Sequence, residues 1–394
     1  MHLSMKSIFL LLFLITGSYI THAQQGFYIL TGQVLHGETG SPMQGASVFA
    51  ENTTIGTATD ADGNFKLWLP NGGHTISVTY TGFSTVSQRS ASSDADKHIV
   101  FAIRPREVEI SDVVVVSSNE VRNGWEKYGS FFFDQFIGTS LYARSCVFRN
   151  PEVLKFYFSK KRNRLKIVAA DPLLIQNNAL GYNIRYSLDS FTHEYATGVS
   201  FYSGNPLFED VTKETGTPAN IAASREAAYK GSVLHFMRGI YHQTLQKDSF
   251  EIQFVVRFNE EEKALPLKDF YKALNYKKDV THQTVTIRPN QTEVGVIYLG
   301  EKPDDGYVQL RNDSTTQTSF QFSILSFQPQ QSITIEQNGY FFDQSDLVFK
   351  EYWTWEKVGD MVPYDYGIAV DYQPAIQKMI EAMMQAKPEA VPQE

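Results

Sequence analysis

The chain is expected to be mainly β with an α+β part: a Greek-key-like β-sandwich at the N-terminus, then a larger α+β domain of antiparallel strands with a helical segment. Three observations predict this. The 394 residues include 28 Phe and 21 Tyr, an enrichment that suits strand-rich proteins. Short apolar stretches bounded by turn residues recur along most of the chain, as in antiparallel sheets. One longer helix-compatible stretch, opened by Thr217-Pro218, interrupts the strands.

The bulk properties set further bounds. A chain of this length suits two or three domains, each able to bury its own core, and 42% hydrophobic with 20% charged residues are globular values. The formal charge is −8 and falls to about −9 once a leader carrying only Lys6 is removed, which disfavours nucleic acid as a partner. Residues 1–23 read as a signal peptide: Met5-Lys6 supplies a basic start, residues 8–15 are wholly apolar, and Thr21-His22-Ala23 places small residues for cleavage near Ala23. Met5 is an alternative start. No later stretch supplies the ~20 apolar residues of a spanning helix, so the mature chain is expected in the periplasm or at the cell surface without a transmembrane segment. Cys146 stands alone, which leaves neither an internal disulfide nor a lipid-modified N-terminal cysteine.

Residues 27–105 carry the sandwich. Residues 31–35 read as its first strand, Glu38-Thr39-Gly40-Ser41-Pro42 as a turn, and residues 46–50 as the second strand. Asp62-Gly63 supplies a hairpin turn that tolerates positive φ, after which residues 64–69 alternate. Pro70-Asn71-Gly72-Gly73 turns the chain again, and residues 74–80 place Ile76, Val78 and Tyr80 on one face.

Gly32-x-Val34, Pro42-x-x-Gly45-Ala46-x-Val48, Gly56-Thr57-x-Thr59-Asp60-x-Asp62-Gly63-x-Phe65 and Val78-x-Tyr80-x-Gly82-Phe83, in that order over about eighty residues, resemble the carboxypeptidase regulatory-like domain, a transthyretin-like or starch-binding-like β-sandwich. The resemblance implies a non-catalytic module of a kind that recurs in exported bacterial proteins and at the front of TonB-dependent outer-membrane receptors. The run Asp60-Ala61-Asp62-Gly63-Asn64 admits two readings, a hairpin turn or a calcium loop. It lacks the remaining ligands and closing Glu of an EF-hand, so the turn is favoured.

Residues 106–139 form a junction. Its Ile110-Ser111-Asp112-Val113-Val114-Val115-Val116-Ser117 run looks like the Val-rich segment behind the same domain in TonB-dependent receptors. Fewer than 280 residues follow it, too few for a plug and a barrel of about 22 strands of ~10 residues each. A connecting or edge strand is therefore favoured over docking to a partner by strand addition. Residues 125–137 then read as a helix with Trp125, Tyr128, Phe132 and Phe136 on about one face and Gly138 ending it.

Residues 140–373 are expected to form the α+β domain, with strands at 154–158, 165–169, 173–175, 182–188 and 192–202 in a meander. Within it, Lys160, Lys161, Arg162 and Arg164 make a dense basic turn, either a solvated hairpin tip or a contact for an anion or acidic glycan. The helical segment runs to Leu245 with a break at Gly231-Ser232, and its His235 and His242 lie two turns apart without a third metal ligand at suitable spacing. A short helix to Leu274 and strands at 280–288, 293–299, 307–310, 319–327 and 332–336 follow. Trp353 and Trp355, with other aromatics near them in sequence, are either sheet core or a platform for a sugar. Residues 374–394 read as a C-terminal helix and frayed tail.

Phrases of the larger domain, among them Asn150-Pro151-Glu152-Val153-Leu154 and Trp355-Glu356-x-Val358-x-Asp360-Met361-x-Pro363, look like those of exported bacterial proteins with the same front domain, a resemblance that implies no activity. The zinc-protease helix, the carboxypeptidase zinc pair, the Gly-x-Ser-x-Gly elbow, the phosphate-binding Gly loop and the Cys-x-x-Cys pair are all missing from the sequence, and Cys146 has no evident local base. The expectation is a non-enzymatic binding or assembly protein without cofactor, whose partner is an outer-membrane or cell-surface protein or a glycan. Its alternatives are a hydrolase whose distant carboxylates leave no spacing to read, and an accessory partner of a TonB-dependent receptor.

Overall fold

A computed structural model describes residues 26–106, 119–259, 261–311, 318–342 and 347–368. The leader, the Val-rich run at 110–117 and the C-terminal tail lie outside the described residues.

The first seven strands are β1 (Phe27–His36), β2 (Ser47–Ala50), β3 (Gly56–Ala58), β4 (Asn64–Pro70), β5 (Gly73–Thr79), β6 (Val86–Ala91) and β7 (His98–Ile103). They form two sheets, β4-β1-β7 and β3-β2-β5-β6. Alternation drives the packing. Leu30 and Val34 from β1, Leu67 and Leu69 from β4, Ile76 and Val78 from β5, and Phe101 and Ile103 from β7 point inward into one core. One pairing departs from the antiparallel expectation: β1 and β7 run parallel, Val34 opposite Phe101. The chain crosses between the sheets before β7 returns beside β1, so the two ends of the sandwich enter the same sheet in the same direction.

Behind the sandwich, α1 (Gly124–Phe136) packs on a six-stranded sheet made from β8 (Cys146–Phe148), β9 (Leu154–Ser159), β10 (Arg164–Ala169), β11 (Leu173–Asn177), β12 (Tyr182–Glu194) and β13 (Val199–Asp210). Phe132 and Phe136, four apart on the helix, bury completely against Phe148, Tyr186 and Phe191. The helix ends where expected, with Gly138 at φ 104 and its amide bonded to Phe133 O at 3.2 Å.

β12 organises this sheet. Its first half buries even-numbered residues Tyr182, Ile184, Tyr186 and Leu188, and its second half buries odd-numbered Phe191 and His193. A β-bulge between Leu188 and Ser190 makes the change of parity, because one extra residue moves every later side chain to the other face. The first half pairs with β11 and the second with β10, so both strands share one edge of β12. The strand expected over 192–202 is instead broken by a turn at 195–198. Gly198, at φ 70, donates to Glu194 O at 2.8 Å and reverses the chain into β13.

The remaining elements enclose a third core. The helical stretch is two helices, α2 (Ala219–Tyr229) and α3 (Val233–His242), separated as the sequence suggests at Gly231-Ser232. Gly231 takes φ 78, and Ser232 Oγ caps α3 by accepting from His235 N at 3.2 Å. Phe236, Met237 and Ile240 then pack on a five-stranded sheet β15-β14-β18-β19-β21 and a small sheet β16-β17-β20. These strands are β14 (Phe250–Phe258), β15 (Glu261–Pro266), β16 (Lys277–Asp279), β17 (Thr284–Ile287), β18 (Glu293–Tyr298), β19 (Gln321–Phe327), β20 (Ile333–Glu336) and β21 (Leu347–Glu351). Between them lie α4 (Phe270–Ala273) and α5 (Asp305–Arg311).

Two expectations fail here. The apolar residues of 307–310 belong to α5 and not to a strand; Asp304 Oδ1 accepts from Gly306 N at 2.7 Å at the start of that helix. Residues 280–288 are not one strand, because a turn through Gln283 at φ 54 separates β16 from β17.

The sandwich is fixed to the rest of residues 28–366 through buried polar contacts. Asn338, fully buried, donates to Gly73 O at 2.9 Å. Arg89 pairs with buried Glu336 and lies over the Phe342 ring at 4.3 Å. The β2–β3 turn meets the edge strand β13, with Asn52 N to Pro206 O at 2.8 Å and Phe208 N to Thr53 O at 2.9 Å. Asp365 accepts from both Thr54 N and Thr54 Oγ1. These bonds cover the otherwise open edge of β13.

Candidate functional site

A concavity lies where the sandwich meets the six-stranded sheet. It has a volume of about 940 Å³. One wall is the stretch after β5, with Tyr80, Phe83 and Ser84, and the other comes from Asp171, Arg185 and Asp189 near β11 and the β12 bulge. Arg106, the first residue of the junction, lines the cleft and donates to Ala170 O at 3.1 Å. Apolar, hydroxyl and both kinds of charged group line the cleft. Such a mixture suits a polar extended ligand better than a purely apolar one.

The residues singled out from sequence do not converge on this cleft. Lys160, Lys161 and Arg162 are exposed at the β9–β10 hairpin tip, where Asn163 takes φ 46. Arg164 is drawn back into an ion pair with Glu194 across the β10–β12 ladder. Trp353 is buried in the third core, in a 3₁₀ turn and not a strand, and its Nε1 donates to Gly231 O at 2.8 Å. Trp355, half-buried, stacks edge-on to Tyr307 at 6.1 Å and lines a second, smaller pocket of about 150 Å³. The tryptophans thus sit in different surroundings two residues apart.

That small pocket escaped the sequence reading. Trp355, Glu356 and Asp360 come from one stretch, but Glu301 and Gln321 reach the pocket from two others, and no spacing joins the three. Burial pushes the Glu356 carboxyl well above the carboxylate range, and nearby Asp360 and Glu301 reinforce the shift. Asp360 is pushed up to about 6 by burial, although both oxygens accept bonds, from Ser140 Oγ and from Lys357 N at 3.0 Å.

Other candidates prove to be folding devices. Asp60 Oδ1 accepts from Asp62 N at 3.0 Å and Asn64 N at 2.8 Å, which closes the Asp-Gly turn on itself. His235 Nδ1 accepts from Gly231 N at 3.1 Å, and burial lowers its pKa to about 4. Burial likewise lowers His242. The Cys146 thiol is pushed up to about 12 by burial, which keeps it from thiolate chemistry at neutral pH. Among the described residues no group of three or more His, Cys, Asp or Glu is placed to hold a metal ion.

The two-sheet build of the N-terminal region defines a β-sandwich module. Residues 30–115 match the CarboxypepD_reg-like domain family, so the chain carries a carboxypeptidase regulatory-like domain at its front. Over 118 residues, 30% of this chain, it is 24% identical to TonB-dependent receptor P3 of Formosa agariphila, and the match spans 11% of that receptor's length. Among solved structures it aligns with a DUF3823 family protein from Bacteroides ovatus at 10% identity and TM-score 0.17, covering 69% of this chain and 90% of that one. It also aligns with a 9R-lipoxygenase from Cyanothece at 10% identity and TM-score 0.15, covering 55% and 48%. Neither alignment carries an argument at those scores. No helix among the described residues is long and apolar enough to cross a membrane.

Proposed function

We propose that the protein is a non-catalytic, exported binding or assembly protein of the periplasm or cell surface, with the cleft between the sandwich and the six-stranded sheet as its binding site. The observation that carries this reading is the match of residues 30–115 to a regulatory-like, non-catalytic module. The similarity to a TonB-dependent receptor favours an outer-membrane or cell-surface protein as partner, as does accessory work beside such a receptor. A glycan is the second kind of ligand the mixed cleft suits.

The hydrolase reading draws on one observation, the raised carboxyls of Glu356 and Asp360 in one pocket. It is weakened by Asp360, one of whose oxygens accepts from Lys357 N in its own turn and the other from Ser140 Oγ, so that both already serve the fold. Incubating the purified chain with a panel of glycans and peptides separates the two. Saturable binding without turnover is the expected result; turnover abolished in Glu356→Gln would replace binding with hydrolysis.

A further inference from the structure

The cleft opens onto a charged face of the six-stranded sheet. Val168 lines the cleft and stands directly opposite Lys155 on the β9–β10 ladder, so Lys155 projects from the same face. Lys166, two residues before Val168, shares that face, which is turned away from the core under α1. Arg185, in the cleft, lies on it too, because Ile184 and Tyr186 on either side point into that core. Lys155, Lys166 and Arg185 are exposed, and none has a hydrogen-bond or ion-pair partner among the described residues. Of the acids on this face, Glu194 is taken by Arg164, and Glu120 is separated from Lys166 by Tyr157. Unpaired cations gathered on one face of a chain of net charge −8 suit an anionic occupant.

The cleft narrows its chemistry. Asp171 and Asp189 line it without a partner among the described residues, and so do the hydroxyls of Ser84 and Ser187. A ligand with charge alone would meet these two acids unrelieved. One that also carries hydroxyls can donate to them while its own carboxylates go to the cations. Tyr80, 36% exposed, and Phe83, edge-on to it at 5.4 Å, add apolar surface for the C–H face of a sugar ring. An acidic peptide brings the charge but one backbone donor per residue, whereas each sugar ring brings several hydroxyls. Resting on the cleft as the binding site proposed above, we infer that the cleft and the adjoining sheet face bind an acidic polysaccharide, a hydroxyl-rich chain carrying carboxylates. Arg185 holds a carboxylate inside the cleft, and Lys155 and Lys166 hold others outside it.

The test is calorimetric titration of the full chain with hexagalacturonate, with its methyl ester and with hexaglutamate. Hexagalacturonate is expected to bind, less tightly as salt rises, and the other two to bind at least about tenfold more weakly. Replacing two exposed side chains together, Lys155→Gln with Lys166→Gln, should weaken hexagalacturonate about tenfold and leave the ester unchanged. Arg185→Gln, checked by circular dichroism for an unchanged fold, should weaken it as well. Equal affinity for the ester would overturn the requirement for charge, and equal affinity for hexaglutamate would replace the polysaccharide with an acidic peptide. Unchanged affinity in the folded double variant would overturn the role of the sheet face. No binding of hexagalacturonate would overturn the proposal as a whole; a crosslinking residue at Ser84 that still captures an envelope protein then leaves the cleft as a binding site, and one that captures nothing removes that reading too.

Discussion

Asp60 shows how a residue that reads as a ligand becomes a turn. Its carboxylate is taken by two backbone amides, and Gly63 at φ 73 occupies a position where a Cβ would lie 2.5 Å from Val34 O. Gly63→Ala should therefore cost about 1–3 kcal/mol in urea unfolding, and calcium should not change the midpoint of the parent chain. Arg225, buried, donates to Leu180 O and Gly181 O, pairs with Asp210 at 2.8 Å and lies over Tyr182 at 4.0 Å. Arg225→Ala leaves the two carbonyls without their donor and Asp210 with only its Thr212 bonds, and should cost about 3–5 kcal/mol, read in the same unfolding curves. Glu356 gives a pH signature. Its folded carboxyl titrates above the ordinary 4.5, so the unfolded chain ionises first as pH rises. The folded state is then penalised from about pH 4.5 upward, and no penalty exists below it. Glu356→Gln should be more stable than the parent at pH 8 and match it near pH 4, read by urea unfolding at the two pH values.

At the scale of elements, legibility followed the strength of the local pattern. The helix from Gly124 to Phe136 was readable because four aromatics at helical spacing and a terminal glycine agree. Phe132→Ala within it should cost about 3–5 kcal/mol, measured by urea denaturation, because the ring is wholly buried among Phe136, Phe148 and Phe191. The break at Gly231-Ser232 was readable for the same reason. The reversal at 195–198 was not, since Thr192 to Tyr202 alternates well enough for one strand and a single glycine at positive φ breaks it. Tyr307 to Leu310 was misread because four residues cannot distinguish a strand from a helical turn, and the Asp304 bond to Gly306 decides it. The bulge in β12 is visible only once the burial parity changes. The small pocket was illegible for a different reason: its acids come from two segments, 301–304 and 356–360, that meet through tertiary packing alone.

At the scale of the whole molecule, the sandwich is held by an interface in which polar groups are buried and paired. Asn338 bonds Gly73, Glu336 pairs with Arg89, and Thr54 is held by Asp365. Removing one partner leaves the other desolvated, so Asn338→Ala should cost about 1–3 kcal/mol and separate the unfolding of the sandwich from that of the remainder, seen as a split calorimetric transition. The 940 Å³ cleft proposed as the binding site lies where the sandwich meets the six-stranded sheet. The direct measurement places a photo-crosslinking residue at Ser84, inside the cleft, or at Lys161, on the distant-in-sequence hairpin tip, and activates each in intact cell envelopes. A binding or assembly role predicts a reproducible, single envelope adduct from Ser84 that is absent from Lys161. Equal or absent adducts at the two positions, together with turnover of a glycan or peptide by the purified chain, would contradict it.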